Sequence, residues 1–451
     1  MKHYVTICFH LLLVLQIFGQ QPKWQKPNII IILADDLGYH DVSYYGTEYV
    51  HTPNIDLLCK SGMRFDKFYA NSPVCSPTRA SLMSGRYPEM VGVPGLVRST
   101  PESNFGFLKA GARLLPRQLK KANYKTAIIG KWNLGLESPN LPNEKGFDFF
   151  HGFLDDMMEN YYTHIRNGRN FMRENFKEIN PAGHATDIFT TWATGYIKDQ
   201  KNSKDPFFLY LAYNAPHFPV EPPADWLAKV KARQPELSEK RTKLIALIEH
   251  MDDGIGKVIR SLKETGQYEN TLIIFLSDNG GNLEVGSNNG DLKDGKQSMY
   301  EGGLRVPAVF VWPNHIKPGS VNTERITTMD IYPTLSELAG TRINHKIDGT
   351  SFLSILKNPE AKLADRLLFF TRREGGLRYG GQTIQAVISG EWKLLQNSPY
   401  APYELYNLQN DPAEQHDLSK SETDQFKRLH ALLTIQMQKG GSVPWQQPET
   451  P

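Results

Sequence analysis

Asn28-Ile29-Ile30-Ile31-Ile32-Leu33-Ala34-Asp35-Asp36 is an unbroken apolar run that stops at two acids. A strand with one wet face would alternate. Four consecutive isoleucines instead predict a strand covered on both faces, where β-branched side chains suit the pleat. Three further runs share this form. Thr126-Ala127-Ile128-Ile129 leads into Gly130-Lys131, and Phe207-Phe208-Leu209-Tyr210-Leu211-Ala212-Tyr213 precedes His217. Thr271-Leu272-Ile273-Ile274-Phe275-Leu276 leads into Asp278-Asn279. Between the runs lie helix-like stretches, clearest over 243–262, where Leu244, Ile248, Met251, Ile255, Ile259 and Leu262 recur at helical spacing. Strand and helix in alternation predict an α/β fold: a mixed, mostly parallel sheet sandwiched by helices. Ligands of such sheets bind outside the carboxyl ends of the strands, and all four polar endings fall on that rim. Carboxylates, a lysine and a histidine delivered there by separate strands point to an active site.

The 451 residues are 40% hydrophobic and 22% charged, so the chain can bury a large core and still carry a smaller second unit. A formal net charge of +3 gives no basis for a nucleic-acid partner, though the slight excess suits an anionic substrate. Beyond residue 354 the texture changes. Leu367-Leu368-Phe369-Phe370, 383–388 and 391–395 read as short strands, Tyr406-Asn407-Leu408 with Asn410-Asp411-Pro412 as a turn, and 422–437 as a last helix. The expected organisation is a leader over 1–19, a catalytic domain over 27–355, an α+β subdomain over 360–440 and a flexible tail over 441–451.

The leader reading rests on Met1-Lys2-His3, a short apolar stretch over 4–18, and Gly19-Gln20-Gln21-Pro22. The stretch is too short for a comfortable membrane span, so a secreted or periplasmic protein without one is expected. Of three cysteines, Cys8 would leave with the leader. Cys59 lies in helix-like Ile55-Asp56-Leu57-Leu58-Cys59 and reads as core, and the alternative is a Cys59–Cys75 bridge.

Cys75-Ser76-Pro77-Thr78-Arg79 carries the most chemistry. Pro77 suits the first position of a helix and Gly85 its stop, so backbone N–H groups would favour an anion beside residue 75. Arg79 lies one helical turn along and can point the same way. Asp35, Asp36, Asp278 and Asn279 together form a hard, all-oxygen set suited to Ca²⁺ or Mg²⁺, although either pair alone could cap a helix or sit solvated.

The fragment from Cys75 to Arg79 resembles the C-x-P-x-R signature of the type I, formylglycine-dependent sulfatases of the alkaline-phosphatase-like superfamily. Gly130-Lys131-Trp132-Asn133-Leu134-Gly135 is similar to their G-K-W-H-L-G, and Asn214-Ala215-Pro216-His217-Phe218-Pro219 to a second histidine motif. The stretch Gly295-Lys296-Gln297-Ser298-Met299-Tyr300-Glu301-Gly302-Gly303-Leu304-Arg305-Val306-Pro307 resembles their G-K…Y-E-G-G-x-R-V-P block. The resemblance runs over 27–349 with motifs in the family's order, and Trp392-Lys393-Leu394 and Glu404-Leu405-Tyr406-Asn407-Leu408 resemble its terminal subdomain, as in bacterial carbohydrate sulfatases.

This resemblance implies that Cys75 is oxidised to formylglycine by a maturation enzyme and that its hydrate is the nucleophile. It further implies that Asp35, Asp36, Asp278 and Asn279, with residue 75, hold a divalent ion, usually calcium, with Mg²⁺ the alternative. Arg79 would hold the hydrate, while Lys131, His217 and Lys296 bind sulfate and one of them protonates the leaving alcohol. Asn133 departs from the family's histidine. An amide hydrogen-bonds but takes no proton at neutral pH, so Asn133 is expected to be a contact and not a base. Arg98, Arg372, Arg373 and Arg378 are candidate subsite residues for a sulfated glycan, with plain solvated arginines the alternative. The expected reaction is hydrolysis of carbohydrate sulfate esters. The rivals are a phosphodiesterase or phosphonate hydrolase on the same fold, and a non-catalytic sulfated-glycan-binding protein, which Asn133 alone favours.

Overall fold

The computed structural model describes residues 26–374 and 383–442; the expected leader, Arg378 and the tail beyond Ser442 lie outside them. The isoleucine run forms the strand Asn28–Ala34, parallel to Phe207–Ala212 on one side and to Thr271–Ser277 on the other. Phe207–Ala212 pairs in parallel with Lys125–Lys131, and that strand with Phe149–Phe153. Short, mostly antiparallel strands finish both edges: Ala308–Val311, Met63–Phe65 and Ser320–Asn322 at one, Met172–Glu174 and Lys177–Glu178 at the other. A two-residue, charged last strand offers little to an incoming chain.

Every residue of Phe207–Ala212 and Thr271–Ser277 is buried, as unbroken apolar runs predict, and helices flank the sheet. Glu239–Glu264 packs against Ala185–Asp199, Ala224–Arg233 and Pro53–Ser61; Cys75–Ser84, Leu115–Lys120 and Ile331–Leu338 form a second group. The helix expected over 243–262 runs on to Glu264, and it starts earlier, at Glu239, because the Ser238 side chain accepts from the Arg241 N–H and caps it.

Register brings the strand ends level. Leu33 lies opposite both Leu276 and Ala212, and Ala212 opposite Gly130, so Asp35, Asp278 and Lys131 emerge on one rim. Gly130 is required there: a Cβ would stand 1.9 Å from the Ala212 carbonyl oxygen, and its φ is +101°.

The C-terminal part is a four-stranded antiparallel meander, Leu367–Arg373, Thr383–Ser389, Trp392–Gln396 and Glu404–Asn407, backed by the helix Thr423–Gly441. Val387, Leu394 and Leu405 meet Leu429 and Leu433 of that helix. Ile384, Ala386, Ile388, Leu395 and Tyr406 face the other way, against Tyr69, Met299 and Leu304. This alternation corrects the sequence reading of Tyr406-Asn407-Leu408 as a turn. Tyr406 and Asn407 finish a strand because successive side chains each have a core to enter, and the turn begins at Leu408.

Candidate active site

Cys75 is the first residue of the helix Cys75–Ser84. The helix therefore begins two residues before the expected start, and Pro77 occupies its first turn, where a missing N–H costs nothing. Cys59 and Cys75 are both free and buried, so there is no bridge between them. The Cys75 Sγ lies 3.2 Å from Asp35 Oδ1.

Around this thiol, cations and carboxylates interlock. Lys131 Nζ donates to Asp35 Oδ2 at 2.6 Å and Lys296 Nζ to Asp36 Oδ2 at 2.7 Å. Arg79 donates to Asp278 Oδ2 from Nε and Nη2, and from Nη1 to the Lys131 carbonyl at 3.1 Å. His217 Nε2 stands 3.6 Å from Asp36 Oδ2. Asp36, in a left-handed backbone conformation, donates its N–H to Asp278 Oδ1. Lys131 and Arg79 are fully buried, whereas Lys296 and His217 keep slight exposure, so the last two stand nearest the opening.

The electrostatics follow from this crowding. Burial opposes ionisation of Asp35, yet Lys131, His217, Arg79 and Lys296 together hold its carboxyl far below the usual range. Asp278 goes the other way, pushed up to about 7 by burial and by Asp35 beside it. Burial, then Asp278 and Asp35, push the Cys75 thiol well up, so unmodified cysteine is no thiolate nucleophile here. Burial and then Lys296 lower His217.

The donor set fits a hard cation. Asp35, Asp36, Cys75 and His217 each place a ligand atom within 4.8 Å of the others. Asp278 and Asn279 join through Asp36: Asn279 Nδ2 donates to Asp36 Oδ1 at 2.8 Å, while Asn279 Oδ1 is buried without a hydrogen-bond partner. An orphaned amide oxygen beside three carboxylates is what a divalent ion would satisfy.

Asn133 is fully buried at φ +56°; its Nδ2 donates to the Val97 carbonyl at 2.9 Å and its Oδ1 has no hydrogen-bond partner among the described residues. The candidate subsite arginines divide. Arg98 and Arg372 meet on the buried carboxylate of Glu374, whereas Arg373 reaches the Met437 carbonyl on the last helix. Glu374 and Tyr161 escaped sequence reasoning. The Tyr161 hydroxyl lies 2.8 Å from the Asn214 carbonyl and 3.0 Å from that of His217, holding the histidine loop. Most of their partners lie 53 to 278 positions away, so the sequence does not show them; the exception is Arg372, two residues before Glu374 on the same face of the chain.

The fold is of the alkaline-phosphatase-like type, with a buried cysteine, a carboxylate cluster and two lysines gathered on one strand rim, the arrangement of a hydrolase site. A family model described as Sulfatase matches residues 27–341, and one described as N-sulphoglucosamine sulphohydrolase, C-terminal, matches 293–440. The N-acetylgalactosamine-6-sulfatase of Sus scrofa is 30% identical, over 97% of this chain and 91% of its own. A sulfatase of Formosa agariphila is 31% identical, over 86% of this chain and 84% of its own. The solved structure of Ps i-CgsB in complex with k-i-k-neocarrahexaose matches with a TM-score of 0.84 at 35% identity, covering 94% of each chain. The phosphonate monoester hydrolase of Agrobacterium radiobacter, with a TM-score of 0.64 at 20% identity, shares the fold alone. The chain belongs to the sulfatase family and is a sulfuric ester hydrolase. Membership implies formylglycine and a divalent metal.

Proposed function

We propose that the protein releases sulfate from a galactose-configured residue of a sulfated glycan, with Cys75 as formylglycine and Ca²⁺ held by Asp35, Asp36, Asp278 and Asn279. The observation that carries the reading is the convergence of Cys75, Lys131, Lys296 and His217 on those carboxylates. The sugar configuration is supported by two relatives at 30% identity or more, one named for N-acetylgalactosamine and one bound to a neocarrahexaose. Calcium suits a cluster of three carboxylates and an amide oxygen, since Mg²⁺ prefers to keep several waters. An exported protein, as 1–19 suggests, would meet such a polymer outside the cell.

Formylglycine at 75 supplies a hydrated aldehyde whose hydroxyl attacks sulfur. Lys131, at the floor, and Lys296, nearer the mouth, are placed to neutralise sulfate oxygens as charge spreads in the transition state. Lys296 or His217, both on the open side, gives its proton to the departing sugar oxygen. Arg79, fixed by Asp278, orients residue 75 from one helical turn away. The cation would offset charge on the same oxygens.

The test is sulfate release from galactan and glycosaminoglycan oligosaccharides by protein co-expressed with a formylglycine-generating enzyme. Release from galactose-configured sugars alone supports the proposal. Release only from glucose-configured sugars such as glucosamine refutes the substrate, and activity surviving Cys75→Ala refutes the mechanism.

A further inference from the structure

One buried carboxylate of the C-terminal subdomain reaches the walls of the reaction site. Glu374 follows the strand Leu367–Arg373 and is fully buried between two guanidiniums. Its Oε1 accepts from Arg372 Nε at 3.2 Å and from the Leu96 N–H at 3.2 Å. Its Oε2 accepts from Arg372 Nη2 at 3.3 Å and from Arg98 Nη1 and Nη2 at 3.3 and 3.4 Å. A carboxylate with so many donors is strongly directional, and each contact fixes a different piece of chain.

Those pieces are the ones that frame residue 75. Leu96 packs with Val74 and Cys75 in one apolar cluster. Val97 donates its N–H to Ser76 Oγ at 2.9 Å and accepts from Asn133 Nδ2. On the other side, Arg372 Nη1 donates to Gln297 Oε1 at 3.2 Å, and Gln297 follows Lys296 directly. Gln297 donates its N–H to the Pro73 carbonyl, closing the circle on the Cys75 loop. The strand contributes further, with Ser72 Oγ donating to the Thr371 carbonyl and the Arg373 N–H to that of Pro94. The approach is tight: a Cβ on Gly95 would stand 2.5 Å from the Arg373 carbonyl oxygen and 2.9 Å from Glu374 Cγ.

We propose that Glu374 is a positioning residue for sulfate ester hydrolysis, bracing the Leu96–Val97 wall of residue 75 and, through Arg372 and Gln297, the loop that carries Lys296. The C-terminal subdomain is then part of the catalytic machinery and not merely docked beside it. Arg98 and Arg372 serve in the brace, which is why their guanidiniums are turned inward. The proposal rests on the reading of residue 75 and Lys296 as reacting groups.

The test uses the full chain, co-expressed with a formylglycine-generating enzyme, and 4-nitrophenyl sulfate, an ester without a sugar. For each variant kcat, KM, thermal midpoint and conversion of residue 75 by peptide mass are measured. Glu374→Gln is expected to lower kcat by about tenfold to a hundredfold with KM moving less than about threefold, and Glu374→Asp to recover part of the loss. Gln297→Ala is exposed and empties no core, and it is expected to lower kcat by about threefold or more. The control is Glu89→Gln, a buried carboxylate that accepts from Gln436 of the last helix and has the Arg373 charge beside it, but makes no hydrogen bond to Leu96, Val97 or Gln297. Its kcat should stay at the wild-type value. A folded, fully converted Glu374→Gln with wild-type kcat overturns the proposal, as does an equal kcat loss in Glu89→Gln. Should Glu374→Gln fail to fold, an unchanged kcat in Gln297→Ala overturns it. Should the converted wild type ignore this ester, the same variants are compared on the sulfated oligosaccharide it desulfates, and inactivity on both would instead refute the reading of the site.

Discussion

Arg79 and Asp278 share a single oxygen: Nε and Nη2 both donate to Oδ2, at 3.0 and 2.7 Å, and neither side chain has any exposure. The pair ties the helix bearing Cys75 to the end of Thr271–Ser277, while Nη1 reaches the end of Lys125–Lys131. Arg79→Ala would leave Asp278 buried without its partner, a loss of about 3–5 kcal/mol by the usual cost of breaking a buried pair. Arg79→Lys keeps the charge but cannot span both partners, so it should recover stability and not activity. Thermal unfolding and turnover on the same preparations check this. Wild-type stability in Arg79→Ala would show the pair to be structurally idle.

Asn133 offers a test of an amide that is idle at rest. Its Oδ1 is buried and unpartnered in the resting protein, so Asn133→Leu removes an unsatisfied polar group at similar volume. The lost bond to the Val97 carbonyl, about 1 kcal/mol, offsets that gain. Leucine at φ +56° adds backbone strain of about 1–2 kcal/mol, so the expected result is a lowered thermal midpoint together with a kcat at least about tenfold lower in the folded protein, because the amide oxygen is placed to bond the reacting groups. A Leu variant of full activity would show that Asn133 touches nothing in the reaction.

Metal removal should be visible without any assay of turnover. If Asp35, Asp36, Asp278 and Asn279 hold the ion, a chelator lowers the thermal midpoint and excess Ca²⁺ restores it. The linkage gain is about 2.7 kcal/mol at a hundredfold excess over Kd. Asp36→Asn should abolish the Ca²⁺ response. A Ca²⁺-dependent midpoint that survives Asp36→Asn would place the ion elsewhere, and rescue by Mg²⁺ alone would correct its identity.

Much of this was legible in the sequence, and the reason is local. Unbroken β-branched runs announce doubly covered strands, and the polar residue ending each run marks the rim, so Asp35, Lys131, His217 and Asp278 are found without tertiary information. Glu374 is different. Beside the local bond from Arg372, its contacts lie 276 and 278 positions away, at Arg98 and Leu96, and nothing around Glu374-Gly375-Gly376 advertises those two. For the same reason Arg98 looked like a candidate for an anionic ligand, since its carboxylate is 276 positions away, whereas for Arg372 the carboxylate stood two residues on, at the spacing that shares one face of a strand. Short edge strands such as Met172–Glu174 escaped because three residues carry no period.

Acid should also loosen the protein beside the site, through a buried histidine, as pH falls below about 6.5. His184 is 3% exposed, and burial, followed by His250, lowers it to about 4. Its Nδ1 accepts from the Thr186 N–H at 3.2 Å, capping the helix Ala185–Asp199, and its Nε2 faces the Glu221 carbonyl at 2.9 Å. A second proton would have to sit on Nδ1, against that N–H. The unfolded chain takes up its proton near the ordinary value of about 6.5, so the contribution of His184 is complete above that pH. It declines as pH falls toward 4, by about 3 kcal/mol in all at 1.36 kcal/mol per pH unit. Tyr161 stacks on this ring with centroids 4.9 Å apart and holds the loop of His217, so weakening here reaches the active site. His184→Asn keeps an acceptor for the cap and removes the titration. It should therefore flatten the fall in thermal midpoint between pH 7 and 5, and a slope equal to the wild type would assign the acid sensitivity to other groups.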